Sequence, residues 1–443
     1  MLRIAGPLIL STASWSIQHF LDRMFLAWYS SEAVAAALPA GILCFVFISF
    51  FLGTGSYCNA FVAQYTGADR PRRVGAVIGH GIWFALGAGV IIAGLIPLGS
   101  ILFTVIGHHP EVIPLETTYF RISCLGGGPV VLGAVLAAFF TGRGKTWPVM
   151  WVNFIGTAVN VTLNYLLIFG KAGFPEMGIA GAAWGTVIGE STIPLIYAAL
   201  MIRRKYRNRF GVFASWRLEK DLMLRLLRYG GPNGLQFMLD MASFTTFILI
   251  VGRLGKVELA ASNIAFGINA LAFVPMIGMA MATSTLVGQW LGRNRPEIAA
   301  RAAWSACRLA LVYTGLAAGL FIVFPQWFIR PFAAGQTEDF AAMSAMITDL
   351  LKFIAVYAIF DAVHLVFSGA VKGAGDTRYV MVATVIISWT VLVIPTWLAC
   401  MVFGKSLYWA WTFAATYAIG LGVMFLLRFL GGKWKKMRVI EAE

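Results

Sequence analysis

A carboxylic acid lies inside an apolar stretch near the start of the chain. Residues 6–29 are long enough to cross a bilayer as one helix, for which about 20 residues are sufficient, and they include both Pro7 and Asp22. An ionised side chain at such a position costs about 3 kcal/mol on insertion scales, so it is expected to have a partner or a task. We therefore predict that Asp22 binds a proton or a cation and that Pro7 lets this helix bend.

Few other ionisable residues fall within the apolar segments. They are His19, Arg23, His80, Glu190, Asp240, Asp361 and His364. Uncharged polar residues accompany them, among them Thr186 and the pair Asn160 and Asn164, which share one helix face. A hard monovalent cation prefers carboxylate, amide and hydroxyl oxygens, so Asp22 with such partners could bind Na⁺. Asp22 could instead take up a proton, because apolar surroundings favour its neutral form.

Several of these residues also allow a structural interpretation. Asp361 and His364 are three residues apart and could form a local polar patch. Glu190 has no partner motif, which favours packing over function, and His80 is expected to bond to a backbone carbonyl rather than to a metal. Arg23 directly follows the acid of the first helix, so the two side chains point about 100° apart and need not pair.

The composition places these residues in a membrane protein. Of 443 residues, 59% are hydrophobic and only 12% are charged, whereas a soluble protein carries about 25% charged residues. Apolar runs recur along the whole chain and predict an all-α polytopic membrane protein, since an outer-membrane barrel would show alternating segments of about 10 residues. The five cysteines lie in apolar segments and are expected to pack in the core.

The net charge of +15 is concentrated in alternate connections between the apolar segments. Most Lys and Arg residues follow every second span, and they are densest between residues 203 and 228. This positive-inside pattern predicts a multi-pass protein of the cell inner membrane with both termini in the cytoplasm. It argues against nucleic acid as a partner. We expect the first span to be retained rather than removed as a signal peptide.

We predict twelve spans with mostly short connections. They cover residues 5–29, 34–63, 74–103, 118–140, 148–169, 178–202, 230–252, 258–289, 299–325, 346–371, 379–403 and 407–430. The longest connection lies between spans six and seven, at residues 203–229, and its second part, from Trp216 to Tyr229, has leucines at helical spacing among basic residues, which predicts a helix on the cytoplasmic membrane surface. Residues 211–229 of this connection form the inter-lobe linker. This linker separates an amino-terminal lobe (residues 1–210) from a carboxy-terminal lobe (residues 230–443).

The two halves of the chain repeat each other. Gly6-Pro7 matches Gly231-Pro232, residues 62–71 match 287–296 at the same offset, and residues 140–150 match 371–381 at a slightly larger one. Three blocks in the same order predict two six-helix lobes, a parallel repeat related by a pseudo-two-fold axis along the membrane normal. Asp22 has no counterpart, because Phe247 stands at the corresponding position of the second half.

Several motifs follow one another over essentially the whole chain. They are Gly6-Pro7 followed by Asp22, AQYTGA (63–68) with its copy GQWLGR (288–293), NVTLNYLLIFG (160–170), GIAGAAWGT (178–186), GGPNGLQFMLD (230–240) and FDAVHLVFSGAVKGAGDT (360–377). In this order they resemble the motifs of the multidrug and toxic compound extrusion (MATE) transporters. Each motif is weak alone, and together in order they are specific.

The resemblance implies a V-shaped pair of six-helix lobes around a cavity, with efflux driven by Na⁺ or H⁺. It implies that Asp22 is the first-helix acid, with Asn160, Asn164 and Thr186 as its partners in an amino-terminal cation or proton site. It also implies that bending at Pro7 is linked to protonation of that site.

For the second half, the resemblance implies that Asp240 and Asp361 are the carboxy-terminal acids of the NorM-type branch. His19 and Arg23 depart from the family pattern beside the first acid. Because a nearby positive charge competes with a bound cation, these departures leave the choice between Na⁺ and H⁺ open.

We expect a secondary active exporter of organic, cationic and amphipathic compounds in exchange for Na⁺ or H⁺, and not an enzyme. Uptake of the ion by Asp22 would shift the protein towards its inward-facing form, while Pro7 and Pro232 help their helices bend. The coupling ion is expected to replace any cofactor. The partners would be the organic substrate and membrane lipid, and two internal lobes make a monomer sufficient.

Other functions remain open at this stage. A flippase for lipid-linked saccharides would have a similar lobe pair, although it usually has more spans or a strongly basic cavity. A lipid-modifying enzyme would need clustered His, Asp or Glu at an interface, and a regulated channel would not need paired lobes with isolated acids. ATP hydrolysis is disfavoured, because Gly142–Thr146 resembles a P-loop but Phe139 stands where that motif needs glycine.

Overall fold

Helices make up almost all of the described chain. The computed structural model describes residues 1–106, 110–212, 217–332 and 339–441, and within these ranges no β-strand occurs. In the first half the helices are α1 (Leu2–Tyr29), α2 (Ser31–Ser56), α3 (Cys58–Gly67), α4 (Pro71–Ala93), α5 (Gly99–Ile106), α6 (Ile113–Thr141), α7 (Trp147–Phe169), α8 (Gly178–Ile202) and α9 (Arg204–Phe210).

The second half continues in the same manner. Its helices are α10 (Lys220–Gly252), α11 (Lys256–Gly292), α12 (Pro296–Val323), α13 (Pro325–Ile329), α14 (Asp339–Ala374), α15 (Thr377–Ile387), α16 (Ile394–Trp397) and α17 (Leu407–Leu430). Two π-helical stretches, Ser388–Val393 and Leu398–Val402, lie on either side of α16 and form one span with α15.

Eleven helical segments of the described ranges are long and apolar enough to cross a membrane. The first helix, α1, is 28 residues long but falls outside this group because of its polar residues. With α1, the segments correspond to the twelve predicted spans. The polarity of α1 is therefore the feature of the fold that needs an explanation.

By its internal contacts the chain divides into two units. The amino-terminal unit consists of Gly6–Met238 and Val439–Glu443, and the carboxy-terminal unit of Leu239–Arg438 and Met1–Ala5. Within the first, α6 packs against α2, α4 and α8, and within the second, α14 packs against α11, α12 and α17. The fourth span of each half is thus the central helix of its unit, which confirms the predicted duplication of six helices.

Backbone details repeat at the offsets of the sequence blocks. Asp69 and Asn294, which occupy equivalent positions of the repeat, both adopt the left-handed conformation, with φ of 54° and 55°. Gly142 and Gly373 are likewise equivalent and lie where the fourth span of each half crosses the second. A Cβ at these glycines would lie 2.8 Å and 2.4 Å from a backbone carbonyl oxygen of that second span. The repeat therefore extends from the order of motifs to individual turns and close contacts.

The residues predicted to form a surface helix, 216–229, belong from Lys220 onward to a longer helix. Helix α10 runs without a break from Lys220 to Gly252, so its first residues extend the seventh span. The leucines on which the prediction rested, Leu222 and Leu226, are buried within the protein and not available to a lipid surface. Trp216 lies outside the described residues. The unit boundary also falls inside α10, after Met238, and the division into lobes at residues 211–229 stays a prediction.

Two structural interpretations made from the sequence are confirmed. All five cysteines are buried and unpaired by disulfides. The ring of His80 is buried, and its Nδ1 lies 2.8 Å from the carbonyl oxygen of Ala76, one turn earlier in α4.

Candidate functional site

Three glycines let α8 approach α7 closely. Gly181, Gly185 and Gly189 recur every four residues along one face of α8, a common arrangement where membrane helices pack. A Cβ on Gly185 would lie 1.9 Å from Oδ1 of Asn164, and one on Gly189 would lie 2.6 Å from Cβ of Asn160. The close approach fixes both asparagine side chains between the two helices, where they are fully buried.

The asparagine pair holds Asp22 of α1. Asn164 Nδ2 donates to Oδ1 of Asp22 at 2.5 Å and lies 3.4 Å from Oδ1 of Asn160. Asn160 Nδ2 donates to Oγ1 of Thr186 at 3.2 Å, and that hydroxyl donates to the carbonyl oxygen of Ala182 at 3.0 Å. The structure therefore brings together, in the amino-terminal unit, the first-helix acid and the three residues that the resemblance groups around it.

This group offers the oxygen ligands that a hard cation prefers: a carboxylate, a hydroxyl and amide oxygens. Oδ1 of Asn164 is buried and has no hydrogen-bond partner among the described residues, which is uncommon for a buried polar atom. The orientation found, with Nδ2 directed at Asp22, suits an ionised carboxylate, which only accepts. Flipping the amide of Asn164, so that its oxygen and nitrogen exchange places, would direct the free oxygen towards Asp22 and supply a cation ligand.

A second carboxylic acid lies beside this site. Gln18, one turn before Asp22, directs Nε2 towards Oε1 of Glu190 at 3.5 Å, and its own Oε1 accepts from Thr157 at 3.3 Å. Glu190 follows Thr186 by one turn of α8, and its charge acts on Asp22. The sequence favours a packing role for Glu190, whereas the structure places it in the polar group around Asp22.

Helical spacing is the signal that could have identified Glu190. Each of the three helices contributes two polar residues four positions apart: Gln18 and Asp22, Asn160 and Asn164, Thr186 and Glu190. Nearer the start of α1, Asn153 donates to Ser11 and joins α1 to α7 once more. The polarity that distinguishes α1 from the other spans is therefore explained by its contacts with α7 and α8.

His19 and Arg23 lie about 60° and 100° from Asp22 around α1 and are exposed. The ring of His19 packs edge-on against Trp15, with centroids 4.7 Å apart. Among the ion pairs of the described chain, none joins Arg23 to Asp22. Arg23 therefore acts on the acid through its charge and not through a direct ion pair.

We expect Glu190→Gln to weaken binding of the coupling ion about tenfold, equivalent to about 1.4 kcal/mol. The negative charge of Glu190 favours a cation or a proton at Asp22, so its removal lowers the affinity for either ion. The half-saturating Na⁺ concentration or the pH midpoint of transport in proteoliposomes measures the change. Glu176→Gln, at an exposed position of the same unit, is the control. An unchanged ion dependence in Glu190→Gln would restore the packing interpretation.

The carboxy-terminal unit holds its two predicted acids in one polar cluster. Tyr417 donates to Oδ1 of Asp240 at 2.9 Å, and Nδ1 of His364 lies 3.4 Å from Oδ1 of Asp361. The charges of His364, Lys372 and Asp361 all act on Asp240. The predicted local patch is thus present, and Lys372 adds a positive charge that competes with any cation bound to these acids.

Both glycine–proline pairs lie inside helices, Pro7 in α1 and Pro232 in α10. A Cβ on Gly6 or Gly231 would meet no atom within 4 Å, so packing does not require glycine there. Proline lacks a backbone donor and clashes with the carbonyl four residues earlier, which makes each position a weak point of its helix. Bending at these points during transport stays a prediction.

The sequence is similar to that of known proteins over most of its length. The MatE family model matches residues 7–166 and 232–398, well over half of the chain. A protein of Xanthomonas campestris pv. campestris named "Probable multidrug resistance protein NorM" is 27% identical over 391 residues, 87% of this chain and 83% of the relative. A protein of the same name from Thermotoga maritima is 26% identical over 453 residues, 100% of this chain and 94% of the relative.

Solved structures share the fold. One described as "Outward-facing conformation of a multidrug resistance MATE family transporter of the MOP superfamily" aligns with a TM-score of 0.88 at 19% identity, over 98% of this chain and 96% of that one. A MOP superfamily transporter from Pyrococcus furiosus aligns with the same score, identity and coverage. Since the family match spans both halves of the internal repeat, the chain belongs to the MatE family of multi-pass membrane transporters.

Proposed function

We propose that this protein is an antiporter that exports small organic compounds in exchange for Na⁺ or H⁺. The family consists of transporters, so the chain is a transporter and not an enzyme. Relatives named as NorM multidrug resistance proteins support the efflux of organic compounds. The observation that carries the ion coupling is Asp22, a carboxylic acid bonded within the membrane-spanning unit to Asn164 of α7.

Ion binding at Asp22 would change the free energy of the conformation that binds it. An ionised carboxylate at membrane depth is costly without a counterion, and a bound cation or proton removes that cost. The shift between two conformations cannot exceed the ratio of the ion's affinities for them. In the proposed cycle, the outward-facing form releases substrate while Asp22 takes up the ion. The protein then returns to its inward-facing form, and α1 and α10 bend at Pro7 and Pro232.

The same residues serve either ion in this proposal. For Na⁺, Asp22, the amide oxygen of Asn164 and the hydroxyl of Thr186 would act as ligands once the amide has turned. For H⁺, the protonated carboxyl group would donate to the same amide oxygen. Reorientation of Asn164 therefore accompanies binding in both cases. Within the described ranges no three His, Cys, Asp or Glu side chains come together as a metal site.

We propose cationic, amphipathic compounds as the substrates. The acids within the spans, Asp22 and Glu190 in one unit and Asp240 and Asp361 in the other, favour positively charged cargo. Aromatic residues make up 14% of the chain, and their faces attract flat organic cations.

We further propose that the protein lies in the cell inner membrane with both termini in the cytoplasm. The distribution of Lys and Arg over alternate connections supports this orientation. Because one chain contains both copies of the six-helix repeat, a monomer surrounded by lipid is sufficient for transport.

Counter-transport in proteoliposomes tests the proposed function. Purified protein would be reconstituted with a fluorescent organic cation, and Na⁺ and pH gradients would be imposed separately. We expect one of the two gradients to drive movement of the dye against its own gradient, and no accumulation when both are absent. Failure of both gradients would refute the antiporter, and translocation of a lipid-linked saccharide under the same conditions would favour the flippase instead.

A further inference from the structure

The last described residues of the chain lie in the amino-terminal unit. After α17 a short 3₁₀-helix follows at Lys433–Lys436, and Val439 is then buried, with 1% of its surface exposed. Its backbone N–H donates to Oε1 of the fully buried Gln64 at 2.9 Å. The segment Val439–Glu441, called the tail below, is therefore seated in this unit.

The carboxylate of Glu441 enters a pocket of basic groups. Tyr65 and Arg225 both donate to its Oε2 at 2.5 Å. Arg73 donates to Oε1 through Nε at 3.0 Å and through Nη2 at 2.9 Å, and Arg70 lies 4.0 Å from the same oxygen. Bonds between ionised partners, and two-pronged bonds from arginine above all, are the strongest hydrogen bonds in proteins. One carboxylate thus connects α3, α4 and α10.

Further hydrogen bonds fix the geometry of this arginine pocket (Tyr65, Arg70, Arg73 and Arg225). Arg73 also donates through Nη1 to Glu219 at 2.7 Å, and the backbone N–H of Glu219 donates to Nε2 of His80 at 2.8 Å. Since Nε2 accepts a hydrogen bond, the proton of the neutral ring is on Nδ1, which donates to the carbonyl of Ala76. The position of Arg73 is therefore fixed by Glu219, which His80 holds in place, as well as by the tail.

The internal repeat shows that the pocket belongs to one half only. At the positions equivalent to Tyr65, Arg73 and His80, the second half has Trp290, Ile298 and Ser305. The turn, the helices and Arg70, which matches Arg295, are duplicated, whereas Tyr65, Arg73 and His80 are not. The duplicated fold forms without them, which indicates that they are present for a ligand.

We propose that the arginine pocket is a receptor for the carboxylate of the chain's own tail and that the docked tail restrains the start of α10. Glu441 ties Arg225 of α10 to Tyr65 of α3 and Arg73 of α4. Two turns after Arg225, the same helix reaches Pro232, its weak point. Undocking of the tail frees the segment before this proline, which makes the tail a control element on transport.

Protonation has little influence on docking at physiological pH. Burial raises the pKa of Glu441, but the hydrogen bonds from Tyr65, Arg225 and Arg73 outweigh burial and hold the pKa at about 2, below its usual 4.5. A carboxyl group whose pKa is lowered in the docked state contributes fully above the undocked pKa. Docking is therefore at full strength above pH 4.5 and weakens as the pH falls towards 2.

Cysteine labelling tests docking directly. Val439→Cys places a thiol at the buried position of the tail, and the five native cysteines are buried. In nanodiscs at pH 7, we expect a membrane-impermeant maleimide to label this variant slowly, and at least about tenfold faster when Glu441→Gln is added, since bonds to a charged group are lost. Equal labelling rates with and without Glu441→Gln would overturn the proposal. The control, Glu297→Gln, removes a carboxylate bonded to Lys435 at an exposed site and should leave labelling slow.

Two further experiments test what occupies the arginine pocket and whether docking of the tail affects export. Labelling should be equally slow in nanodiscs of phosphatidylcholine and of phosphatidylglycerol, whereas acceleration by the anionic lipid would assign the pocket to a headgroup and overturn the tail as its occupant. Export by Glu441→Gln should differ from wild type by at least about fivefold, a typical coupling between sites. Unchanged export despite faster labelling would refute the control role. Labelling requires no transport, so its result does not depend on the proposed function.

Discussion

Replacing Asp22 by asparagine is expected to abolish ion-driven export in a protein that still folds and inserts. Asparagine has the size of aspartate and can keep a hydrogen bond to Asn164, which lies at 2.5 Å from Asp22, but it takes up no proton and has no charge to hold Na⁺. The variant also removes an ionised group from membrane depth, which lowers the cost of insertion. Since bonds to a charged group contribute about 1.5–3 kcal/mol, ion-dependent export should fall at least tenfold.

The measurement is dye export from proteoliposomes under the gradient that drives the wild type. Asp349→Asn is the matched control, because that acid forms an exposed ion pair with Lys352 at 2.7 Å. Asp240→Asn tests the other acidic cluster, where the charge of Lys372 already acts on the acid. If Asp22→Asn exported as well as wild type while Asp240→Asn did not, the coupling site would lie in the carboxy-terminal unit.

The fold was predictable because its signals are local or repeated. Apolar runs of span length identify the helices, and the Gly-Pro pairs and turn motifs at constant offsets predict the duplication that α6 and α14 then display in their packing. The asparagine pair of α7 was also predictable, since a spacing of four residues places both side chains on one face.

Glu190 and Glu441 could not be assigned in the same way, because their partners are distant in sequence. Glu190 meets Gln18 across 172 residues, and Glu441 meets Tyr65 across 376 residues. The spacing of four residues from Thr186 points to Glu190, but no helical period or repeat identifies the contact of Glu190 with Gln18 or that of Glu441 with Tyr65. The continuous helix from Lys220 was missed for a related reason: its leucines are buried by tertiary packing, whereas the sequence shows only an amphipathic segment among basic residues.

Gly185→Ala is expected to reduce ion-dependent export by about tenfold or more while lowering stability only moderately. A Cβ at this position would lie 1.9 Å from Oδ1 of Asn164 and 2.9 Å from its backbone nitrogen, so the amide must turn away and the backbone of α7 must shift slightly. Overpacking of a well-packed contact costs about 1–3 kcal/mol. Here most of the clash is relieved when the end of the Asn164 side chain, which bonds to Asp22, moves away. The substitution therefore damages the proposed ion site without touching its acid.

Gly181→Ala is the matched control, one turn earlier on the same face of α8. Its Cβ would meet the carbonyl oxygen of Leu167 at 2.6 Å, and a backbone atom cannot move aside as a side chain can. We expect this variant to lower the thermal midpoint more than Gly185→Ala but to keep the ion dependence of whatever export remains. Comparing the thermal midpoint with the half-saturating ion concentration separates the two effects. If both variants changed these quantities in the same proportion, the glycines would act only by setting the distance between α7 and α8, and Asn164 would have no special part in ion binding.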